Sequence, residues 1–135
     1  MTKKLFIPFV LLGLVFMVGC SDNVRLSGKV TFDDGEPVTF GTVFFLTPST
    51  ISQAGIRSDG TYTVGSDSLT DGMPKGEYQV YLVVEELTSR VVGGQSENTY
   101  TSLIAPKYTA PETSELTFTA DGKTRRFNIQ VERVR

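Results

Sequence analysis

Between Val24 and Phe32 the chain alternates apolar and polar positions. Val24, Leu26, Val30 and Phe32 share one phase, and Arg25, Ser27, Lys29 and Thr31 the other. A period of two predicts a strand buried on one face. Gly28 falls in the inward phase, as at a bulge or where another backbone approaches closely. Asp33 to Pro37, DDGEP, reads as a turn. Phe40 to Thr47 is apolar in both phases, the pattern of a central strand covered on two sides, and Pro48 ends it. SQAGIRSDGTYTVGS predicts a hairpin turning at Asp59-Gly60, with Tyr62 and Val64 in one phase. After a loop, EYQVYLVVEE alternates again, with Tyr78, Val80, Leu82 and Val84 on one side. Residues 85–102 are polar around Gly93-Gly94 and read as a long flexible loop. The last stretch predicts a hairpin turning at Asp121-Gly122, with Leu116 and Phe118 facing Phe127, Ile129 and Val131. About seven strands at ~8–12-residue spacing predict an all-β fold, a seven-stranded antiparallel Greek-key sandwich.

The front of the chain follows another pattern. Lys3 and Lys4 precede an uncharged apolar run from Leu5 to Gly19. At about 15 residues this run matches the core of a signal peptide and falls short of the ~20 that a membrane span needs. It ends in MVGC, Met17 to Cys20, which resembles the lipobox of bacterial lipoproteins. The resemblance implies cleavage between Gly19 and Cys20 and lipid on the Cys20 thiol and amine, giving a stable anchor because several acyl chains hold where one does not. The domain reading is therefore 1–19 signal peptide, 20–23 lipidated terminus and short tether, and 24–135 sandwich. Ser21 after the cysteine resembles outer-membrane sorting. The expected location is the cell envelope, on either the periplasmic or the surface face.

Composition narrows the chemistry. Removing 19 of 135 residues leaves 116, with 11 of the 13 basic side chains and all 15 acidic ones, so the net charge moves from −2 to −4. A mildly acidic domain without a basic run argues against nucleic-acid binding. Cys20 is the only cysteine and histidine is absent, which excludes Ser-His-Asp and Cys-His nucleophile systems and the usual zinc sites. Any metal would need oxygen ligands. The nearest approach is DSLTDG, Asp67 to Gly72, but Leu69 and Tyr78 stand where an EF-hand needs ligands. No cofactor and no catalytic site are expected.

Three segments carry a second resemblance. LSGKVTFDDGEPVTFGTVFF, then SDGTYTV with GMPKGEYQVYLV, resemble elements of carboxypeptidase-regulatory-like domains in order and spacing, and APKYTAPETSELTFTA resembles the tail of small bacterial lipoproteins of this class. The resemblance covers nearly all of residues 24–132 and implies a transthyretin-like, prealbumin-type sandwich. It does not imply peptidase activity. Transthyretin-like hydrolases of 5-hydroxyisourate use histidines that this chain lacks, so that activity does not carry over. Pro74 and Gly76 are expected to aim Tyr78 into the core.

What remains is binding chemistry. Lys29, Asn128 and Glu77 have the residue types of an intramolecular isopeptide bond, yet Lys29 and Asn128 are out of phase with their apolar neighbours, as solvated residues are. Glu85 and Glu86 are adjacent on a strand and face opposite ways. Lys123, Arg125 and Arg126 form a small basic cluster at the last turn. Tyr81, Tyr100 and Tyr108 are the candidate exposed platforms for a ligand such as a sugar, although Tyr108 lies in PKYTAP, a segment expected to pack the chain along the sheet edge. The expected function is a non-catalytic envelope module that contacts a protein partner, with carbohydrate binding as the alternative. Loop 85–102 is the expected contact element.

Overall fold

The structure, a computed structural model, describes residues 23–65 and 72–135. The lipobox with Gly19 and Cys20, and most of the Asp67–Gly72 loop, lie outside the described residues. Among the described residues nine strands follow in order: β1 Leu26–Phe32, β2 Thr42–Leu46, β3 Ile51–Gly55, β4 Thr61–Val64, β5 Gly76–Val83, β6 Glu85–Val92, β7 Gln95–Ser102, β8 Leu116–Ala120 and β9 Ile129–Val131. A 3-10 turn at Pro106–Thr109 is the only helical element among the described residues.

Two sheets enclose the core. One has the order β4-β1-β9, the other β3-β2-β5-β8, and β6 with β7 forms a separate pair. The alternating phases behave as their periods dictate: Leu26, Val30 and Phe32 of β1 and Tyr78, Val80 and Leu82 of β5 are buried, while Lys29, Glu77 and Gln79 point outward. Phe45 of β2 sits between the layers, its ring 6.2 Å from Tyr62, 6.4 Å from Tyr78 and 6.1 Å from Phe118. Aromatic rings at such offset and edge-on spacings add specific attraction to their large buried area. Tyr78 turns into this core as expected, and its hydroxyl donates to the Pro74 carbonyl at 2.6 Å.

Five expectations are corrected. β2 is central, paired with β3 and β5, but its outer positions Thr42, Phe44 and Leu46 are only half-buried. The Asp59-Gly60 turn does not close a hairpin. The Gly60 N–H donates to Arg57 O and the Arg57 N–H to Thr61 O, both at 2.8 Å, and the chain then passes from β3 in one sheet to β4 in the other. Asp121-Gly122 likewise joins β8 to β9 across the sandwich, so Phe118 and Phe127 meet at 5.2 Å between the sheets instead of along a hairpin. β9 pairs with β1 in parallel, which departs from a purely antiparallel fold. Turn chemistry is the same whether the two strands it joins pair or part, so the sequence pattern does not distinguish a hairpin from a crossing between sheets.

The fifth correction concerns residues 85–102, which form a regular antiparallel hairpin. Its register runs from Glu85 opposite Ser102 to Val92 opposite Gln95. Gly93 and Gly94 turn it with φ of 60° and 79°, the positive pair that a two-residue hairpin turn requires. The arm springs from buried Val84, where Leu103 N–H donates to Val84 O at 2.9 Å. Residues 103–105 then join the edge of the first sheet, with Ala105 N–H on Glu132 O at 2.9 Å and Val134 N–H on Leu103 O at 3.1 Å. The chain enters the sandwich at the opposite end, where Val24 and Met73 exchange backbone hydrogen bonds of 2.7 and 2.9 Å. The eight residues of β5 separate these ends by about 26 Å at ~3.3 Å per residue.

One local arrangement ties β1, β4 and β9 together. A Cβ on Gly28 would lie 1.8 Å from the Phe127 carbonyl oxygen and 2.7 Å from the Tyr62 hydroxyl. Only glycine leaves that space, and it is filled by the Tyr62 hydroxyl donating to Phe127 O. Ser27 makes the regular parallel-ladder bonds to Arg125 O and Phe127 N–H. The next regular bond would join Lys29 N–H to Phe127 O. Phe127 O is turned inward to Tyr62, and Asn128 Oδ1 accepts the Lys29 N–H at 3.1 Å in its place.

Candidate functional site

The arm of β6 and β7 is the most solvent-exposed regular element of the described residues. Every position from Glu85 to Thr101 is exposed. Antiparallel register sorts its side chains onto two faces. Leu87 opposite Tyr100, Ser89 opposite Asn98 and Val91 opposite Ser96 share one face. Thr88 opposite Thr99 and Arg90 opposite Glu97 share the other. The first face carries an apolar stripe: Leu87 is 51%, Tyr100 64% and Val91 74% exposed. Ser89 Oγ donates to Asn98 Oδ1 at 2.8 Å within the stripe and holds the two strands in register. The second face places opposite charges across the strands, a weakly stabilising arrangement. Both outer edges of the arm lack a strand partner among the described residues.

A second feature lies on the outer face of the four-stranded sheet. Phe44 and Tyr81 are directly opposed in register and stack at 4.8 Å with ring planes 9° apart. Leu46 and Ile51 continue this apolar surface toward β3, and Ile51 is 56% exposed. Beyond it, Pro48, Glu77, Gln79 and Thr119 border an open groove of ≈ 560 Å³.

The three candidate tyrosines are not brought together. Tyr81 is half-buried against Phe44, and Tyr100 stands on the arm. Tyr108 is buried and is no exposed platform, because the 3-10 turn begun by Pro106 tucks its ring against the core. Lys107 Nζ covers that ring at 4.9 Å from its centre and also pairs with Glu132 at 3.5 Å. The Tyr108 hydroxyl beside Lys107, and then Glu132, hold the lysine pKa above its ordinary value.

Lys29 and Asn128 are neighbours across β1 and β9, as an isopeptide bond would need. Both are exposed, however, and Glu77 lies on the outer face of the other sheet. Burial of the acid with the amine, which that chemistry requires, is missing. Glu85 and Glu86 do face opposite sides of the arm. Among the described residues no three of His, Cys, Asp and Glu converge as metal ligands would. Every buried side-chain nitrogen or oxygen among them has a hydrogen-bond partner. The one buried polar side chain there, Ser114, donates to Val80 O.

Sequence reasoning missed the arm because a strand with no buried face shows no apolar alternation. Gly93-Gly94 between runs rich in Val and Thr was the signal that could have found it. No protein-family model, no curated protein and no solved structure matches this chain.

Proposed function

We propose that the protein is a non-catalytic module of the cell envelope, held at a membrane by lipid on Cys20 and presenting the β6–β7 arm to a protein partner. The observation that carries this reading is the arm itself. An isolated two-stranded hairpin is marginal in water, and this one exposes an apolar stripe beside two unpaired edges. Exposed strand edges are templates for an added strand, and alternate side chains supply specificity. The chain enters the sandwich at the end opposite the arm, so a tether at residues 20–23 directs the arm away from the membrane. The transthyretin-like reading of the fold is supported by the sheets left when the arm is set aside, one of three strands and one of four.

The test has two separate parts. Cys20→Ala tests the anchor: the variant should leave the membrane fraction, and one that stays membrane-bound refutes lipidation. A photo-crosslinking residue at Tyr100, in the anchored protein in its own envelope, tests the arm. One discrete adduct that is absent with the probe at Thr117 supports the reading, and a smear or no adduct opposes it.

Carbohydrate binding is the second reading, favoured by the Phe44–Tyr81 stack on an open sheet face. Calorimetry with a panel of envelope glycans and the Tyr81→Ala variant separates the two. Heat that vanishes in the variant supports the sugar, and no heat at millimolar glycan removes it.

A further inference from the structure

We propose that the outer face of the three-stranded sheet holds an oxyanion-binding groove, selective for a phosphate or carboxylate group. The groove has a volume of ≈ 200 Å³, room for about six waters at ~30 Å³ each. Lys29, Arg57 and Arg126 line it, together with Thr61, Thr63 and Asn128. Register places these side chains side by side. Lys29 lies between Thr61 of β4 and Asn128, while Thr63, Ser27 and Arg126 form the adjoining row.

The groove is built from donors. Arg57 lies along β4, with Nη1 donating to Thr61 Oγ1 at 3.3 Å and Nη2 to Thr63 Oγ1 at 3.0 Å. Those contacts fix the plane of the guanidinium and leave its other N–H groups for a ligand. Asn128 spends its oxygen on the Lys29 N–H, so its amide NH2 is the end left free. None of the described residues that line the groove is a carboxylate. Asp59, in the turn between Arg57 and β4, accepts the Thr61 hydroxyl at 2.6 Å and the Thr61 N–H at 3.0 Å. Those two bonds, with a smaller contribution from Arg57, hold its carboxyl below the usual range. Asp59 therefore offsets part of the Arg57 charge, and among the described residues no ion pair engages Lys29 or Arg126. The ion pairs among the described residues, Lys107 with Glu132 and Arg133 with Asp34, lie elsewhere. A planar guanidinium, an ammonium and an amide NH2 around one small space match the lone pairs of a single oxyanion. This concentration of positive charge is unusual in a chain whose net charge is −2.

The test is an amide NMR titration of the full chain with inorganic phosphate, glucuronate and, as a neutral control, glucose, at constant ionic strength. Saturable shifts are expected at Ser27–Lys29, Thr61–Thr63 and Asn128, with millimolar affinity. The double variant Lys29→Gln/Arg126→Gln should weaken binding at least fivefold, and Arg57→Lys should weaken it by less. Lys107→Gln, a cation outside the groove, should leave it unchanged. Phosphate alone saturating assigns a phosphoryl ligand, glucuronate alone a carboxylate sugar, and both a general oxyanion site. Shifts that grow linearly without saturating overturn the proposal. Equal losses in Lys107→Gln and in the double variant, or equal shifts with glucose, overturn it as well.

Discussion

Replacing Tyr62 by Phe removes one oxygen atom from a fully buried side chain and leaves the ring packed against Phe45. The hydroxyl is the donor to Phe127 O, a carbonyl that has given up its place in the β1–β9 ladder. Without the hydroxyl this partly buried carbonyl is unpaired, at a cost of about 1–3 kcal/mol. With a urea slope of ~2 kcal/mol per molar, the unfolding midpoint should fall by about 1 M. The same geometry predicts a coupling. In Asn128→Ala the Lys29 N–H loses its acceptor at an exposed strand, where water substitutes, so the cost should be about 0.5 kcal/mol. In the double variant the Phe127 carbonyl can turn back to Lys29 N–H and restore the regular ladder. The double variant should therefore be less destabilised than the sum of the singles, by about 0.5–1 kcal/mol. Urea unfolding followed by far-ultraviolet dichroism on all four proteins measures this cycle. Additivity within ~0.3 kcal/mol, the usual result for independent sites, would show that the three residues do not form one linked arrangement. A Tyr62→Phe midpoint within ~0.2 M of the parent, where about 1 M is expected, would refute the buried hydrogen bond itself.

The remaining predictions concern pH, the stack, the arm and the glycine. Burial holds the Tyr62 phenol above its ordinary pKa of 10.0, so the folded state binds a proton that the unfolded state releases. Stability is then complete below pH ~10 and falls by about 1.4 kcal/mol per unit above it, a decline that urea titrations should find missing in Tyr62→Phe. A double-mutant cycle of Phe44→Ala and Tyr81→Ala should show a coupling of about 0.5–1.5 kcal/mol, and zero coupling would contradict the stack at 4.8 Å. Replacing residues 86–101 by Asn-Gly closes β6 on β7 between the register partners Glu85 and Ser102. Because no core residue is lost, the melting temperature should move by less than about 4 °C, equivalent to under ~1 kcal/mol. Gly28→Ala places a methyl against the Phe127 carbonyl at 1.8 Å and should cost at least about 3 kcal/mol, among the largest effects of any single substitution.

How much of this was legible from residues alone differs from element to element. β1 and β5 were readable because each buries one face against a core, and that requirement writes itself into the chain as a period of two. Gly28 was readable as a bulge or a close approach because it interrupts an apolar phase, and the structure decided for the close approach. Tyr108 was not, since its burial depends on where the 3-10 turn docks, a contact with the distant β5 and not a local preference. Phe44 and Tyr81 are 37 positions apart and become a stacked pair only through the register of β2 with β5. Lys29, Arg57 and Arg126 are likewise scattered along the chain, and the three-stranded sheet makes them one groove.

Local chemistry therefore determined the strands of the two sheets, the turn positions and the inward faces of β1 and β5, because those follow from backbone geometry and the removal of apolar area from water. The tertiary structure decided which strands pair, that two expected hairpins cross between sheets, and that β9 runs parallel to β1. It also decided that residues 85–102 stand out as an arm. Pairing is a long-range choice among strands with similar local patterns, and it is settled by which arrangement closes a single core.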